Sequence, residues 1–378
     1  MGSMFKPLIL GLAATVAFAC SSDYPIWIPR TKTADPLYRF IKNGRAGYID
    51  RSGRVVIPPS LDPHGNYGSE FQDGLLEIAV SSGRYVDRTG KVVLDKKLYR
   101  GWDFSEGLAV AMREGEELWG YINTSGEFAV SPRFKTGGDS YVWSFSDGFA
   151  RIRVDGKYGF IDHSGEFVIP PQFPDAVDFS DGMARVVVEG PCVYFPDGPC
   201  GLMNPRIAKG QGSDLSPCKF TFIDKTGRVI TKDRFDDARD FSEGLAPVQF
   251  GKLWAFIDRT GAMAVPPRFD DAQPFQSGLS RIRDHGLYGY ADQSGNVVVL
   301  PQWTYAEDFS EGFAVVGSPS GPFWYIDRQG RRAFPGQFDA ASPFFKGLAH
   351  VEQSSADAAQ THASFAYIDT SGHRIFTY

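Results

Sequence analysis

Apolar and polar positions alternate along this chain in short runs. In one stretch Ala150, Ile152 and Val154 stand between Arg151, Arg153 and Asp155, the period-two spacing of a β-strand with one apolar and one wet face. Asp155-Gly156 then turns the chain. Tyr158 to Ile161 read as a second strand, Asp162-His163-Ser164-Gly165 as a tight turn, and Glu166 to Ile169 as a third strand that Pro170-Pro171 stops. Each step has a cause: an Asp carboxylate accepts from amides two residues on, Gly takes a positive φ without a Cβ clash, and proline cannot donate to a ladder. Phe173 and Ala176 leave room for a fourth, very short strand before Phe179. The pattern predicts units of three or four antiparallel strands. A sheet so small cannot bury its own apolar face, so neighbouring units must cover one another.

The unit recurs. A phrase of the form Phe-Ser-Glu-Gly-Leu-Ala starts at Phe71, Phe104, Phe145, Phe179, Phe241, Phe275, Phe309 and Phe344, at spacings of 33, 41, 34, 62, 34, 34 and 35 residues. A second phrase, Tyr-Ile-Asp-x-x-Gly, places its Asp or Asn at Asp50, Asp87, Asn123, Asp162, Asp224, Asp258, Asp292, Asp327 and Asp369. Self-similarity on this scale marks stacked or radially arranged units. The chain therefore reads as all-β, with tandem antiparallel β-hairpin repeats forming one domain of nine hairpin units over 37–378. A propeller-like ring is preferred to an open β-repeat superhelix, which would expose its end strands. Two features weigh against the ring: nine units exceed the four to eight blades of most rings, and the chain starts and ends at a unit boundary. The recurrent Phe is read as the plug between adjacent units, because a buried aromatic ring brings a large apolar contribution.

Collected into one pattern, G-Y/F-I-D-x-S/T-G-x-x-V/I-I-P-P-x-F-x-x-A-x-x-F-x-E/D-G-L-A, the unit resembles the WG-repeat (KWG-repeat) proteins of bacteria over nearly everything after Pro36. The Trp-Gly pair itself survives at Trp119-Gly120 and decays to Tyr158-Gly159, Tyr288-Gly289, Trp254-Ala255 and Phe365-Ala366. The resemblance implies an exported protein that mediates binding, and it supplies no catalytic residues.

Composition agrees with a turn-rich β chain: 42 Gly, 25 Pro and 14% aromatics. A net charge of -6 argues against a clustered basic face, and so against nucleic acid as a partner. Lys6 followed by the apolar run Leu8 to Ala19 reads as a signal peptide over 1–19, too short to span a bilayer. Ala17-Phe18-Ala19 fits ordinary cleavage, while Cys20 before Ser21-Ser22-Asp23 resembles a bacterial lipoprotein site. The second reading is preferred, with Cys20 lipidated and 20–36, which contains Pro25, Pro29 and Pro36, as a tether. That lipid would be the sole membrane contact of a protein exported to the periplasm or cell surface. In an oxidising compartment Pro196-Asp197-Gly198 would turn Cys192 back onto Cys200 as a disulfide. Cys218 is then odd, and its pairing with either neighbour stays open.

Searching for chemistry returns little. His64, His163, His285, His350, His362 and His373 are scattered away from metal-ligand spacing. Gly317-Ser318-Pro319-Ser320-Gly321 has proline where a nucleophile would stand, and no phosphate loop or dinucleotide fingerprint occurs. The recurrent acids are read as turn formers, since an active site needs an asymmetric set and these recur in every copy. No catalytic residue, metal or cofactor is assigned, and the balance leans against an enzyme. Departures from the repeat are more informative. The 62-residue spacing holds an insertion at about 190–218 with Tyr194, Phe195, Met203 and Arg206, and smaller excursions lie at 63–67, 136–143 and 354–363. Those four residues, with Tyr141 and Trp143, are the candidate partner-binding positions, although Tyr141 and Trp143 could instead pack locally. The function expected is an exported, lipid-anchored repeat scaffold that binds protein or glycan at the bacterial cell envelope. A carbohydrate-active enzyme on the same scaffold and a structural spacer are the alternatives.

Overall fold

The structure, a computed structural model, describes residues 35–62, 70–78, 83–95, 98–135, 141–189, 218–353 and 364–378. Every regular element among them is a β-strand. The strands form nine antiparallel sheets of three or four strands, in chain order at 38–61, 75–95, 98–135, 141–173, 175–224, 237–269, 271–303, 305–327 and 340–377, termed the first to ninth sheets.

The fourth sheet shows how the sequence builds a unit. Tyr141–Ser146, Phe149–Val154, Lys157–Ile161 and Phe167–Phe173 lie side by side in chain order. At the Asp162 turn the carboxylate Oδ1 accepts from Ser164 N at 2.9 Å, Ser164 Oγ at 2.5 Å and Glu166 N at 3.3 Å. Gly165 there takes φ 84°. The prolines do not stop the following strand, contrary to expectation. It runs on to Phe173, and the register jumps from Phe160↔Ile169 to Tyr158↔Phe173, so Pro170 and Pro171 sit in a bulge where no N–H is needed. That bulge explains the glycine of the Trp-Gly position. A Cβ on Gly159 would lie 2.6 Å from both Ile169 O and Pro171 N, closer than real side chains approach.

The expected short fourth strand belongs to the next unit. Asp175–Ala176, separated from Phe173 by Pro174 alone, already pairs with Met183–Glu189 of the fifth sheet. Successive sheets are thus stitched by a nearly continuous strand, as again at 269–271 and 303–305.

Nine hydrophobic clusters lie between successive sheets, one at each boundary. The recurrent Phe is the plug. Phe104, Phe145, Phe179, Phe241, Phe275, Phe309 and Phe344 are at most 2% exposed, and each meets a Tyr or Phe of the preceding sheet at 4.6–5.1 Å between centroids. One expectation fails at these boundaries: the face bearing Arg151 is not wet. Its side chain is 13% exposed, donates to Ala176 O and stands 3.0 Å from Asp178, because the fifth sheet covers that face.

The ninth cluster closes the ring. It joins Leu348 and Tyr367 of the last sheet to Tyr38, Phe40 and Ile49 of the first. Tyr38 Oη donates to Lys346 O at 2.6 Å, and Tyr367 Oη donates to Arg39 O. Phe40 lies edge-on to Phe376 at 5.0 Å and to Tyr378 at 5.6 Å. Elsewhere the incoming sheet offers small residues, such as Ala349 and Val351 in the ninth. Tyr38 and Phe40 occupy those register positions in the first sheet, and their bulk fills a boundary where no recurrent Phe is among the described residues. The chain thus closes as a propeller-like ring with nine sheets, and this last boundary is sealed by ring packing and tyrosine hydrogen bonds, with no strand pairing across it among the described residues. Phe40→Ala is expected to cost about 3–5 kcal/mol and Tyr367→Phe about 1 kcal/mol in urea unfolding, with Phe40→Ala also enlarging the radius of gyration in X-ray scattering. Wild-type values for both variants would contradict the closure.

Candidate functional site

Strand direction divides the ring into two faces. In each sheet the Phe-Ser-Glu-Gly and Asp-x-x-Gly turns join strand ends on one side, while the central hairpin and the passage to the next sheet lie on the other. The first is the regular face. The strand ends that lead into residues 63–69, 136–140, 190–217 and 354–363 all lie on the second, the irregular face.

A belt of hydrogen bonds runs around the regular face. Ser105, Ser146, Ser180, Ser242 and Ser310 donate Oγ to the carbonyl of the next sheet's recurrent Phe at 2.6–2.8 Å. The acid beside each serine, and Asp73 beside Gln72, reaches the next turn's glycine: Asp73 accepts from Gly107 N, Glu106 from Gly148, Asp147 from Gly182, Asp181 from Gly244, Glu243 from Gly278 and Glu311 from Gly347, at 2.5–3.1 Å. Bases from the Asp-x-x-Gly turns complete three of these contacts. His163 Nε2 is 3.1 Å from Glu106, Lys225 Nζ is 2.9 Å from Asp147, and Arg259 pairs with Asp181. These acids hold the turns to one another, which is the shared role of the copies that carry them.

On the irregular face, Tyr141 and Trp143 open the fourth sheet, both half-buried. Arg151 lies 4.2 Å over the Trp143 ring, Trp143 is tilted on Tyr158 at 5.6 Å and on Tyr141 at 5.9 Å, and Arg153 covers Tyr141 and Tyr158 at 5.9 and 5.4 Å. Three aromatic rings and two guanidiniums therefore interleave, each cation held on a ring face. The packing reading of Tyr141 and Trp143 gains from this, yet both keep accessible surface beside the irregular connections. Tyr194, Phe195, Met203, Arg206, Cys192, Cys200 and Cys20 lie outside the described residues. Cys218 is disulfide-bonded.

A third group was not singled out in the sequence. Asp240 of the sixth sheet senses Arg151 of the fourth as well as Arg185 and Asp178 of the fifth, Glu70 of the second senses Lys346 of the ninth, and Tyr38 of the first senses Glu311 of the eighth. Charges two sheets apart therefore act on one another. Glu70, Asp103, Asp178, Asp240 and Asp308 all directly precede the recurrent Phe. Arginines answer three of them: Arg151 Nε is 3.0 Å from Asp178, Arg281 Nε 2.9 Å from Asp308, and Arg185 Nε 3.9 Å from Asp240. Burial raises the carboxyl pKa of Glu70 and Asp240, and pushes Asp103 up to about 6. Asp240 keeps 39% of its side-chain surface although its Oδ1 is covered. The signal available in the sequence was the acid of Trp-Asp-Phe, Val-Asp-Phe, Arg-Asp-Phe and Glu-Asp-Phe, overshadowed by the more regular turn acids. Among the described residues no group of three or more His, Cys, Asp or Glu is gathered to hold a metal ion.

The model of the WG containing repeat matches the chain at 47–62, 84–116, 119–158, 158–190, 220–254, 254–288, 288–317 and 325–354, well over half its length. The chain belongs to the WG-repeat family. No curated protein matches this WG-repeat chain in sequence. Among solved structures it is similar to the computationally designed Ika8 protein (12% identity over 73% of this chain and 85% of that one, TM-score 0.40). It is also similar to BamB from Moraxella catarrhalis (10%, 90% and 90%, TM-score 0.36) and Hsv2p from Kluyveromyces lactis (8%, 78% and 94%, TM-score 0.36). At scores this low the WG-repeat ring rests on its own contacts.

Asp103 gives a pH test of these buried acids. Its folded pKa of about 6 lies above the unfolded carboxyl value of about 3.9, so the folded state holds the proton more tightly. Its stabilising contribution is complete below pH 4 and lost as pH rises through 6. Asp103→Asn is therefore expected to raise the melting temperature at pH 7.5 and leave it unchanged at pH 4. An equal shift at both values would refute the assignment.

Proposed function

We propose that this ring is an exported, lipid-anchored binding scaffold of a cell envelope that engages a protein or glycan on its irregular face. One observation carries the reading: every long departure from the repeat leads off that face, while the opposite face is committed to turn-to-turn hydrogen bonds. A unit that only stacks has no use for longer connections, and loops on a rigid scaffold are where recognition concentrates. Tyr141 and Trp143, backed by Arg151 and Arg153, border those connections. Aromatic faces beside guanidiniums suit the C–H faces of sugars and the planar or acidic groups of a polypeptide.

The anchor fits this orientation. The chain enters the first sheet from the regular face, where Asp35 O accepts from Arg88 of a neighbouring turn. A tether through 20–36 to a lipid on Cys20 would hold the regular face toward the membrane and turn the irregular face away from it. Mass spectrometry of the mature N-terminus is expected to find Cys20 diacylated, and an unmodified Cys20 would remove the anchor. Glycan arrays and envelope-fraction pull-downs should compare the full chain with a deletion of 190–217 and with Tyr141→Ala/Trp143→Ala. At least a tenfold loss of binding, about 1.4 kcal/mol, is expected in one of the two variants. Undiminished binding in both would exclude the irregular face, and no ligand for the full chain in either assay would favour a spacer.

A further inference from the structure

The belt on the regular face has a gap. Along it a carboxylate from one turn sits between two donors of the next sheet, the N–H of the turn glycine and a base from the Asp-x-x-Gly turn. Asp181 lies between Gly244 N and Arg259, Asp147 between Gly182 N and Lys225, and Glu106 between Gly148 N and His163. In the seventh sheet the acid position is Ser277. Its counterparts in the eighth sheet are Gly312 and Arg328, so both donors remain while the carboxylate is missing.

The backbone does not adapt to the loss. Ser277 and Gly278 keep φ 54° and 77°, and Glu311 and Gly312 keep 53° and 89°, against 54° and 91° at Glu243 and Gly244. The Gly312 N–H is therefore presented as its counterparts are. Arg328 Nη2 reaches over the gapped turn, 3.0 Å from where a Cβ on Gly278 would stand. Among the described residues neither the Gly312 N–H nor Arg328 takes part in a hydrogen bond or ion pair. Arg328 is exposed. Glu311 beside the gap is no bar to an anion, because Asp181 stands in the same relation to Gly182, which binds Asp147.

We propose that Ser277, Gly312 and Arg328 form a binding site for a carboxylate brought from outside the chain, either an Asp or Glu side chain or the C-terminus of a polypeptide. The incoming carboxylate takes one charge-assisted hydrogen bond from the Gly312 amide and a paired contact from the Arg328 guanidinium, as the internal acids do elsewhere on the belt. The site lies on the face opposite the proposed docking loops and does not depend on them.

The probe is acetate, titrated into the ¹⁵N-labelled full chain against sodium chloride of equal ionic strength, with the Gly312 amide resonance as readout. A saturable acetate-specific shift is expected in the wild type, with affinity about tenfold weaker in Arg328→Gln. It is expected to vanish in Ser277→Glu, where the restored internal carboxylate fills the site and raises the melting temperature in chloride. Three peptides then separate the sources: one with a free C-terminus, its acid-free amide, and that amide with one internal Glu. Competition by the first alone assigns the C-terminus, and competition by the third admits a side chain. Shifts that match those in chloride, or that persist unchanged in Arg328→Gln, overturn the site. If Ser277→Glu fails to fold, Arg328→Gln alone decides.

Discussion

The structure depends on one contact: a bulky aromatic face of each sheet laid on the small-residue face of the next, with the recurrent Phe between them. Three or four short strands expose too much apolar surface to stand alone. Fully burying a ring the size of Phe contributes on the order of 2–3 kcal/mol, and such a ring meets a partner at 4.6–5.1 Å at boundary after boundary. No sheet is therefore an independent folding unit. The seam between the ninth and first sheets obeys the same demand by other means, since Tyr38 and Phe40 supply in bulk what a preceding Phe supplies elsewhere.

Packing on both faces of every sheet decides where polar groups can go. The arginines that alternate with Ala150 and Ile152 cannot face water, so they run between sheets to the next sheet's carbonyls and acids. Burial raises the carboxyl pKa of Asp240 most, with Asp178 adding to the rise, while Arg185 and Arg151 oppose it. Backbone groups at the turns are satisfied by neighbouring turns rather than by solvent. This leaves one face with its donors and acceptors largely committed and the other free to carry connections of any length.

Much of this was legible in the sequence. Period-two alternation gave the strands, Asp-x-x-Gly gave the turns, and the recurrent Phe gave the plug, because each depends on local chemistry or on burial that repeats. Ring closure was less legible. It depends on Tyr38, Phe40, Tyr367 and Tyr378 meeting across more than 300 residues, and nothing local marks them as partners. Pro170-Pro171 misled, since a residue without an N–H can end a strand or sit in a bulge within it, and only the register distinguishes the two. Arg151 and Arg153 misled because alternation reports that two faces differ, not that one is wet. Of the candidate partner-binding residues, Tyr141 and Trp143 fall beside each other at the edge of the irregular face.

A repeat also limits where specific chemistry can arise. When every unit carries the same acid for the same turn, that acid is already spent on a neighbour, and a ligand can have it only by breaking the belt. Losing a charge-assisted hydrogen bond of this kind costs on the order of 1.5–3 kcal/mol, so a position that has lost its acid while keeping both donors gives up stability that an external anion can return. Ser277 is such a position. It differs from its counterparts by a single side chain, and its gap has the shape of a group that at least three sister turns hold between an amide and a base. The long insertions break the repeat by adding chain, whereas this turn breaks it by subtraction, which leaves the bonding geometry of the missing partner in place.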